Sequence, residues 1–232
     1  MNFGIVTFPG SNCDHDSYHV VKHVLGQEAK FLWHKEESLD GIDCVILPGG
    51  FSYGDYLRCG AIAQFSPIME AVKEFADRGG YVIGICNGFQ VLTEAGLLPG
   101  ALLQNRGLKF ICEDATLVVS NGHSPWTTQC PETIVAPIAH MDGCYYADKE
   151  TLGQLEENGQ VIFRYASRDG QESQAANPNG SLNNIAGITN KRGNVLGMMP
   201  HPERNAEVVL GDASGAWVFR SILDSFRERA GA

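Results

Sequence analysis

Three short apolar runs in the N-terminal half each stop at a glycine- or proline-rich turn, and that arrangement leaves few folds open. Residues 2–8 end at Pro9-Gly10, residues 44–47 end at Pro48-Gly49-Gly50, and residues 81–85 run into Cys86-Asn87-Gly88. Continuous apolar runs of this length suit strands of a parallel sheet buried on both faces. Residues 28–34 read as a further strand. Between the strands, residues 14–25 have the mixed polarity of a surface helix. Ser66 is a candidate N-cap, with Pro67 at the first helical position and Ile68, Met69, Val72, Phe75 and Ala76 forming one stripe that should end near Arg78-Gly79-Gly80. A helix carrying Phe89, Val91 and Leu92 follows Cys86 and stops by Gly96. The alternation predicts an α/β fold, a mostly parallel central sheet with helices on both faces.

From Leu108 onward the pattern changes to strands joined by turns, at residues 116–119, 133–138, 161–165, 185–189 and 195–199. This half should be antiparallel or mixed. A last helix near residues 216–229 aligns Val218, Phe219, Ile222, Leu223 and Phe226, with Ser214 available as a cap. The 232 residues are expected to form a single domain, 1–232, around one core. A net charge of -10 with no Lys/Arg-rich block argues against a nucleic-acid surface. Residues 79–93 are uncharged, but glycines, Asn87 and Gln90 interrupt them, so a strand and packed helix are expected there and no membrane span. Seven cysteines without a C-x-x-C pair, behind an N-terminus unlike a signal peptide, point to a reducing cytoplasm.

The segment Gly84-Ile85-Cys86-Asn87-Gly88 is the thiol version of a nucleophile elbow, in which flanking glycines allow close backbone approach and the reacting atom stands above the sheet. The positive end of the following helix favours a thiolate there. A cysteine nucleophile needs a base and a group to hold that base. His201 and Glu203 offer both, with Pro202 between them expected to keep the backbone near extended geometry so that the two side chains emerge together. Backbone N–H groups of Asn87 and Gly50 are the candidate donors to an oxyanion. Cys44, Cys112, Cys130 and Cys144 read as structural, and Cys59 is ambiguous beside Arg58. His15, His19 and His23 imitate a metal face, but no second cluster completes a ligand set, so a solvated helix face is expected and no metal site.

Several longer segments resemble the class I, triad-type glutamine amidotransferases. They are Phe8-Pro9-Gly10-Ser11-Asn12-Cys13-Asp14, the run Pro48-Gly49-Gly50-Phe51-Ser52-Tyr53-Gly54-Asp55-Tyr56-Leu57-Arg58, Gly84 through Gln90, Ala136-Pro137-Ile138-Ala139-His140, Asn177-Pro178-Asn179-Gly180-Ser181 and Met199-Pro200-His201-Pro202-Glu203-Arg204. The Phe51 to Arg58 loop narrows the resemblance to glutaminase subunits that serve purine synthesis. It implies a flavodoxin-like glutaminase fold and a catalytic set of Cys86, His201 and Glu203 acting on L-glutamine. Gly50 and Asn87 would form the oxyanion hole, and Gln90, Gly49 and Phe51 would contact substrate. His140-Met141-Asp142-Gly143 departs from the His-Gly-Glu-Gly expected there. The implied partners are a large ATP-dependent synthetase subunit and a small bridging subunit. No phosphate-cradling G-x-x-x-x-G-K-[ST] occurs, so ATP and Mg are expected in the synthetase and no cofactor in this chain. Glutaminase activity is expected to be weak alone, with the Phe51 to Arg58 loop as a docking or gating element. Three rivals are the glutaminase component of another ammonia-using synthetase, a cysteine hydrolase of the intracellular-protease or redox-chaperone type, which usually has histidine where Asn87 stands, and a regulatory subunit with a vestigial pocket.

Overall fold

The computed structural model describes residues 1–231. Strands β1 (Asn2–Thr7), β2 (Glu28–Trp33), β3 (Cys44–Leu47) and β4 (Tyr81–Ile85) are interleaved with helices α1 (Asp14–His19), α2 (Pro67–Asp77) and α3 (Asn87–Glu94). There follow β5 (Ala101–Gln104), β6 (Ile111–Val119), β7 (Thr133–His140), β8 (Asp142–Tyr146), α4 (Lys149–Glu157), β9 (Val161–Ala166), β10 (Ile185–Thr189), β11 (Val195–Met198) and α5 (Ala216–Gly231). Nine strands form one sheet in the order β2-β1-β3-β4-β11-β10-β9-β6-β7, and β5 pairs with β8 in a separate ribbon.

The sheet changes character at β11. The four pairs from β2 to β11 are parallel, and the four from β11 to β7 are antiparallel. Every residue of β3, β4 and β11 is buried, as strands covered on both faces require. The edge strand β7 instead alternates buried and half-exposed positions, the signature of a sheet packed on one face. No helix among the described residues is long and apolar enough to cross a membrane.

Several local expectations change. Ser66 precedes α2 but does not cap it; its hydroxyl lies 2.9 Å from the Tyr53 hydroxyl and ties the helix to the loop after β3. Ser214 likewise serves β7, accepting from Val135 N at 2.9 Å and donating to Val135 O at 3.0 Å. The first helix gives way after His19 to a wide π-helical turn, Val20–Val24. The ribbon β5-β8 and helix α4 were not expected from sequence. Helix α4 has one fully buried residue, Leu155, so its apolar stripe is too thin to stand out, although Asp148 caps it by accepting from Thr151 N at 2.8 Å.

Glycine sets how closely α3 can approach the sheet. A Cβ on Gly88 would lie 1.9 Å from the Leu47 carbonyl oxygen at the end of β3, and one on Gly84 would lie 2.6 Å from Gly88 O. Neither neighbour is a flexible side-chain tip, so the helix itself would have to move. Gly88→Ala is therefore expected to destabilise the protein by about 3 kcal/mol, read as a lowered midpoint in chemical denaturation.

Candidate active site

The register of β4 against β11 assembles the site. Val82 pairs with Val195 and Ile85 with Met198, both strands pointing the same way. Cys86 follows Ile85 and donates its backbone N–H to Met198 O at 2.8 Å. His201 leaves the neighbouring strand three residues after Met198 and is held by its own N–H on Pro137 O of β7, at 2.8 Å.

Cys86 adopts φ 52° and ψ -106°, a left-handed conformation that costs a residue with a Cβ of order 1–3 kcal/mol and persists only when its surroundings enforce it. The hydrogen bonds from Phe89 N and Gln90 N to Cys86 O enforce it by starting α3 immediately afterwards. The N–H groups of Asn87 and Gly88 then stand in the first helical turn, where no intrahelical acceptor exists.

His201 Nδ1 lies 2.6 Å from Glu203 Oε1, and both side chains are buried. The carboxylate accepts the Nδ1 proton, which leaves Nε2 as the free position of the ring. His201 Nε2 and Glu203 Oε2 have no partner among the described residues. Burial opposes charge on the imidazole, but the Glu203 carboxylate and the Cys86 and Cys13 sulfurs outweigh it and raise the His201 pKa well above the ordinary value. The extended geometry expected for His201-Pro202-Glu203 is not what brings the two side chains together. Pro202–Arg204 is a 3₁₀ turn, and His201 has φ -100° and ψ 88°. Proline starts such a turn readily, because its φ suits it and it has no N–H to leave unpaired.

The structure adds Cys13 and Arg204, neither of which was singled out from sequence for a role in the site. Cys13 Sγ accepts from Arg204 Nη2 at 2.8 Å and packs against Gly49 beside the His201 ring. Burial raises the Cys13 pKa, against the lowering effect of His201 and Arg204. Cys13, His201 and Glu203 bring one donor atom each within 4.8 Å of one another. That set resembles a metal cluster, but its Cys13 sulfur already carries a fixed positive charge beside it, the Arg204 guanidinium at 2.8 Å. His15, His19 and His23 lie elsewhere. His15 packs on Phe31, and His19 contacts Glu207 and the ring of His23. Cys112 is exposed on β6, and Cys44 is buried.

The turns after β1, β3 and β4 converge as their positions at the strand ends required. Phe51 N donates to Gly10 O at 3.0 Å, and Gly50, at φ 142°, bridges to Ser11. Gly49 supports the base: a Cβ there would be 2.7 Å from His201 Cε1 and 3.0 Å from Cys13 Sγ. Asn87 Oδ1 accepts from Ser52 N at 3.1 Å, and its Nδ2 donates to Gln90 Oε1 at 2.9 Å and Asp55 Oδ1 at 3.3 Å. Gln90 Nε2 continues the chain to Asp142 O at 2.6 Å. Phe51 is largely exposed at the rim. His140 is buried with Nδ1 3.1 Å from Asn105 Oδ1, and burial, then the charge of His201, push its pKa down to about 4.

A cysteine on an elbow, a histidine fixed by a buried carboxylate and free N–H groups beside the thiol can together perform acyl transfer through a thioester. A profile of the CobB/CobQ-like glutamine amidotransferase domain matches residues 1–217. A protein of Moorella thermoacetica named phosphoribosylformylglycinamidine synthase subunit PurQ is 58% identical over the whole of both chains. One of the same name from Gloeobacter violaceus is 57% identical, over 97% of this chain and 98% of its own. Among solved structures, a chain of PurLQS from Thermotoga maritima superposes with a TM-score of 0.85 at 42% identity, covering 97% of this chain and 98% of that one. A glutamine amidotransferase from the same organism, at 13% identity and TM-score 0.57, covers 99% of this chain and 83% of its own and shares the fold. With the elbow, the His201-Glu203 pair and a matching profile over residues 1–217, the chain belongs to the glutamine amidotransferases of the CobB/CobQ-like domain family.

Proposed function

We propose that this chain is the glutaminase subunit of a phosphoribosylformylglycinamidine synthase. It hydrolyses L-glutamine and passes the ammonia to a synthetase subunit of purine biosynthesis that uses ATP, with a small bridging subunit in the same cytoplasmic complex. The observation that carries the reading is the buried His201 Nδ1 to Glu203 Oε1 contact beside Cys86, in a chain 58% identical to a relative bearing that subunit's name.

The Cys86 thiol gives its proton to His201 Nε2 as the sulfur attacks the side-chain amide carbon of glutamine, and the carbonyl oxygen becomes an oxyanion in reach of the Asn87 and Gly50 N–H groups. His201 gives a proton from Nε2 to the departing nitrogen, so that ammonia leaves and a γ-glutamyl thioester remains. Water then loses a proton to the same nitrogen as it attacks the thioester, releasing glutamate and restoring the thiol. Glu203 keeps the Nδ1 tautomer throughout and stabilises the imidazolium that forms within each of the two steps. Gln90, Gly49 and Phe51 border the substrate, Gly49 by holding the histidine in place.

The loop after β3 supports assembly-dependent control. Tyr53, Asp55 and Leu57 all have positive φ, and Tyr56 and Leu57 are 73% and 88% exposed. Strain of that kind marks an element with a second accessible arrangement. Asp55 and Ser52 connect it directly to Asn87, next to the nucleophile. Cys86 itself is only 6% exposed, so a movement of its surroundings would change access to the thiol.

A glutamine-analogue diazoketone is expected to label Cys86 selectively, detected by peptide mass spectrometry. Labelling should disappear in Cys86→Ser and under excess glutamine; an unlabelled Cys86 even with the synthetase present would sink the reading. Glu203→Gln is expected to reduce kcat by about 100-fold or more, since the tautomer loses its anchor. The same change has a sign-specific effect on stability. A raised folded-state His201 pKa contributes stability in full below about pH 6.5, lost as pH rises through the folded-state value. Denaturation midpoints of Glu203→Gln should therefore drop most in mild acid and converge with wild type in base. Steady-state assays of the isolated chain should show much slower glutamine hydrolysis than the assembled synthase, and equal rates would refute control by assembly.

A further inference from the structure

Among the described residues, the buried side-chain polar atoms without a partner are Ser52 Oγ, His140 Nε2, Asp142 Oδ1, His201 Nε2 and Glu203 Oε2. A native interior leaves few such atoms, and each calls for an explanation. His201 and Glu203 have their task in the reaction. Ser52 and Asp142 do not, and both are joined to the Asn87-Gln90 pair, Ser52 through Asn87 and Asp142 through Gln90. Ser52 belongs to the loop after β3 and is 2% exposed, and its N–H donates to Asn87. Asp142 opens β8, and its backbone oxygen accepts from Gln90, the other partner of Asn87.

Asp55 completes the group. Its Oδ1 accepts from Asn87 Nδ2, and the Cys59 thiol reaches both carboxylates, donating to Asp142 Oδ2 at 3.3 Å. Burial raises the Asp55 pKa, and the charge of Asp142 raises it further, against the Cys59 and Asn87 hydrogen bonds. Among the described residues neither carboxylate has a Lys, Arg or His partner. Two carboxylates and a hydroxyl, half-enclosed and short of donors, are complementary to one kind of group: a small cation that carries several N–H bonds.

We propose that Asp55 and Asp142, with the Ser52 hydroxyl, form the subsite that takes the α-ammonium of the substrate amino acid. The inference rests on the glutaminase reading, which requires the substrate's amide to lie at Cys86 and its charged end further along the pocket. Asn87 and Gln90 connect the two ends, since Asn87 adjoins the nucleophile and the pair hydrogen-bonds to both Asp residues. Binding of the ammonium relieves the repulsion between the carboxylates, so the subsite selects free amino acids over amides that lack the α-amino group. His140-Met141-Asp142-Gly143 thereby acquires a purpose: Asp142 keeps the acid of the expected His-Gly-Glu-Gly with a shorter side chain.

The test compares L-glutamine with glutaramate, which keeps the amide and the carboxylate but lacks the ammonium, using the chain assembled with its synthetase partners. Asp142→Asn and Asp55→Asn are expected to lower kcat/KM for glutamine about 10- to 100-fold, chiefly through KM, and to shrink the ratio of glutamine to glutaramate kcat/KM by most of that factor. Asparagine keeps the size of aspartate and tolerates the left-handed backbone of Asp55. An unchanged preference for glutamine over glutaramate in both variants would overturn the subsite. So would a wild-type preference below about threefold, a result that needs no variant to fold. Absence of glutamine hydrolysis by the wild-type assembly would instead overturn the glutaminase reading and this inference with it.

Discussion

The parallel pairing of β4 with β11 is the interaction on which the rest of this structure depends. Two strands separated by more than a hundred residues run side by side, and the chain leaving each carries one half of the chemistry. A one-residue slip of β11 would turn its side chains to the opposite face and carry His201 away from Cys86. The antiparallel half of the sheet secures that register. Strands β10, β9, β6 and β7 are laid against β11 in turn, and the last returns to hold His201 N on Pro137 O. What looks like an appendage to a parallel α/β core is thus the frame that holds His201.

Close packing and strain have the same origin here. Helix α3 can start at Asn87 only because Gly84 and Gly88 let it approach β3 and β4. That approach leaves Cys86 in a left-handed turn with its backbone N–H on β11. The base is positioned with equal economy, wedged against Gly49, with Cys13 and Arg204 close by and Glu203 fixing its tautomer. The unpartnered polar atoms of the described residues gather in this same neighbourhood, on His201, Glu203, His140, Asp142 and Ser52.

Much of the fold was legible from residue order. The runs at residues 44–47, 81–85 and 185–189 coincide with strands, because buried strands are continuous apolar runs bounded by turn residues. The ribbon of β5 and β8 was hidden. Strand β5 has no buried residue and β8 buries only Gly143 and Tyr145, and the pairing joins segments about forty positions apart, so the ribbon leaves no clear local signal. Ser66 and Ser214 show a subtler limit. Both stand where a cap is expected, yet their hydroxyls bind neighbours brought up by the tertiary fold. Local propensity names the candidates, and packing decides which hydrogen bond each one makes.

The sequence by itself determined the chemical identity of the site. Cys86 between glycines, His201 followed by Glu203, and the turns at Gly10, Gly49 and Gly50 are set by residue type and spacing, which follow from local backbone demands. Tertiary structure alone decided how they meet. It turned His201-Pro202-Glu203 into a 3₁₀ turn, set Cys13 and Arg204 beside the base and gathered Asp55, Asp142 and Ser52 around Asn87 and Gln90. Those arrangements depend on the register of distant strands and on the desolvation that burial imposes. Neither is a property of any stretch of chain taken alone.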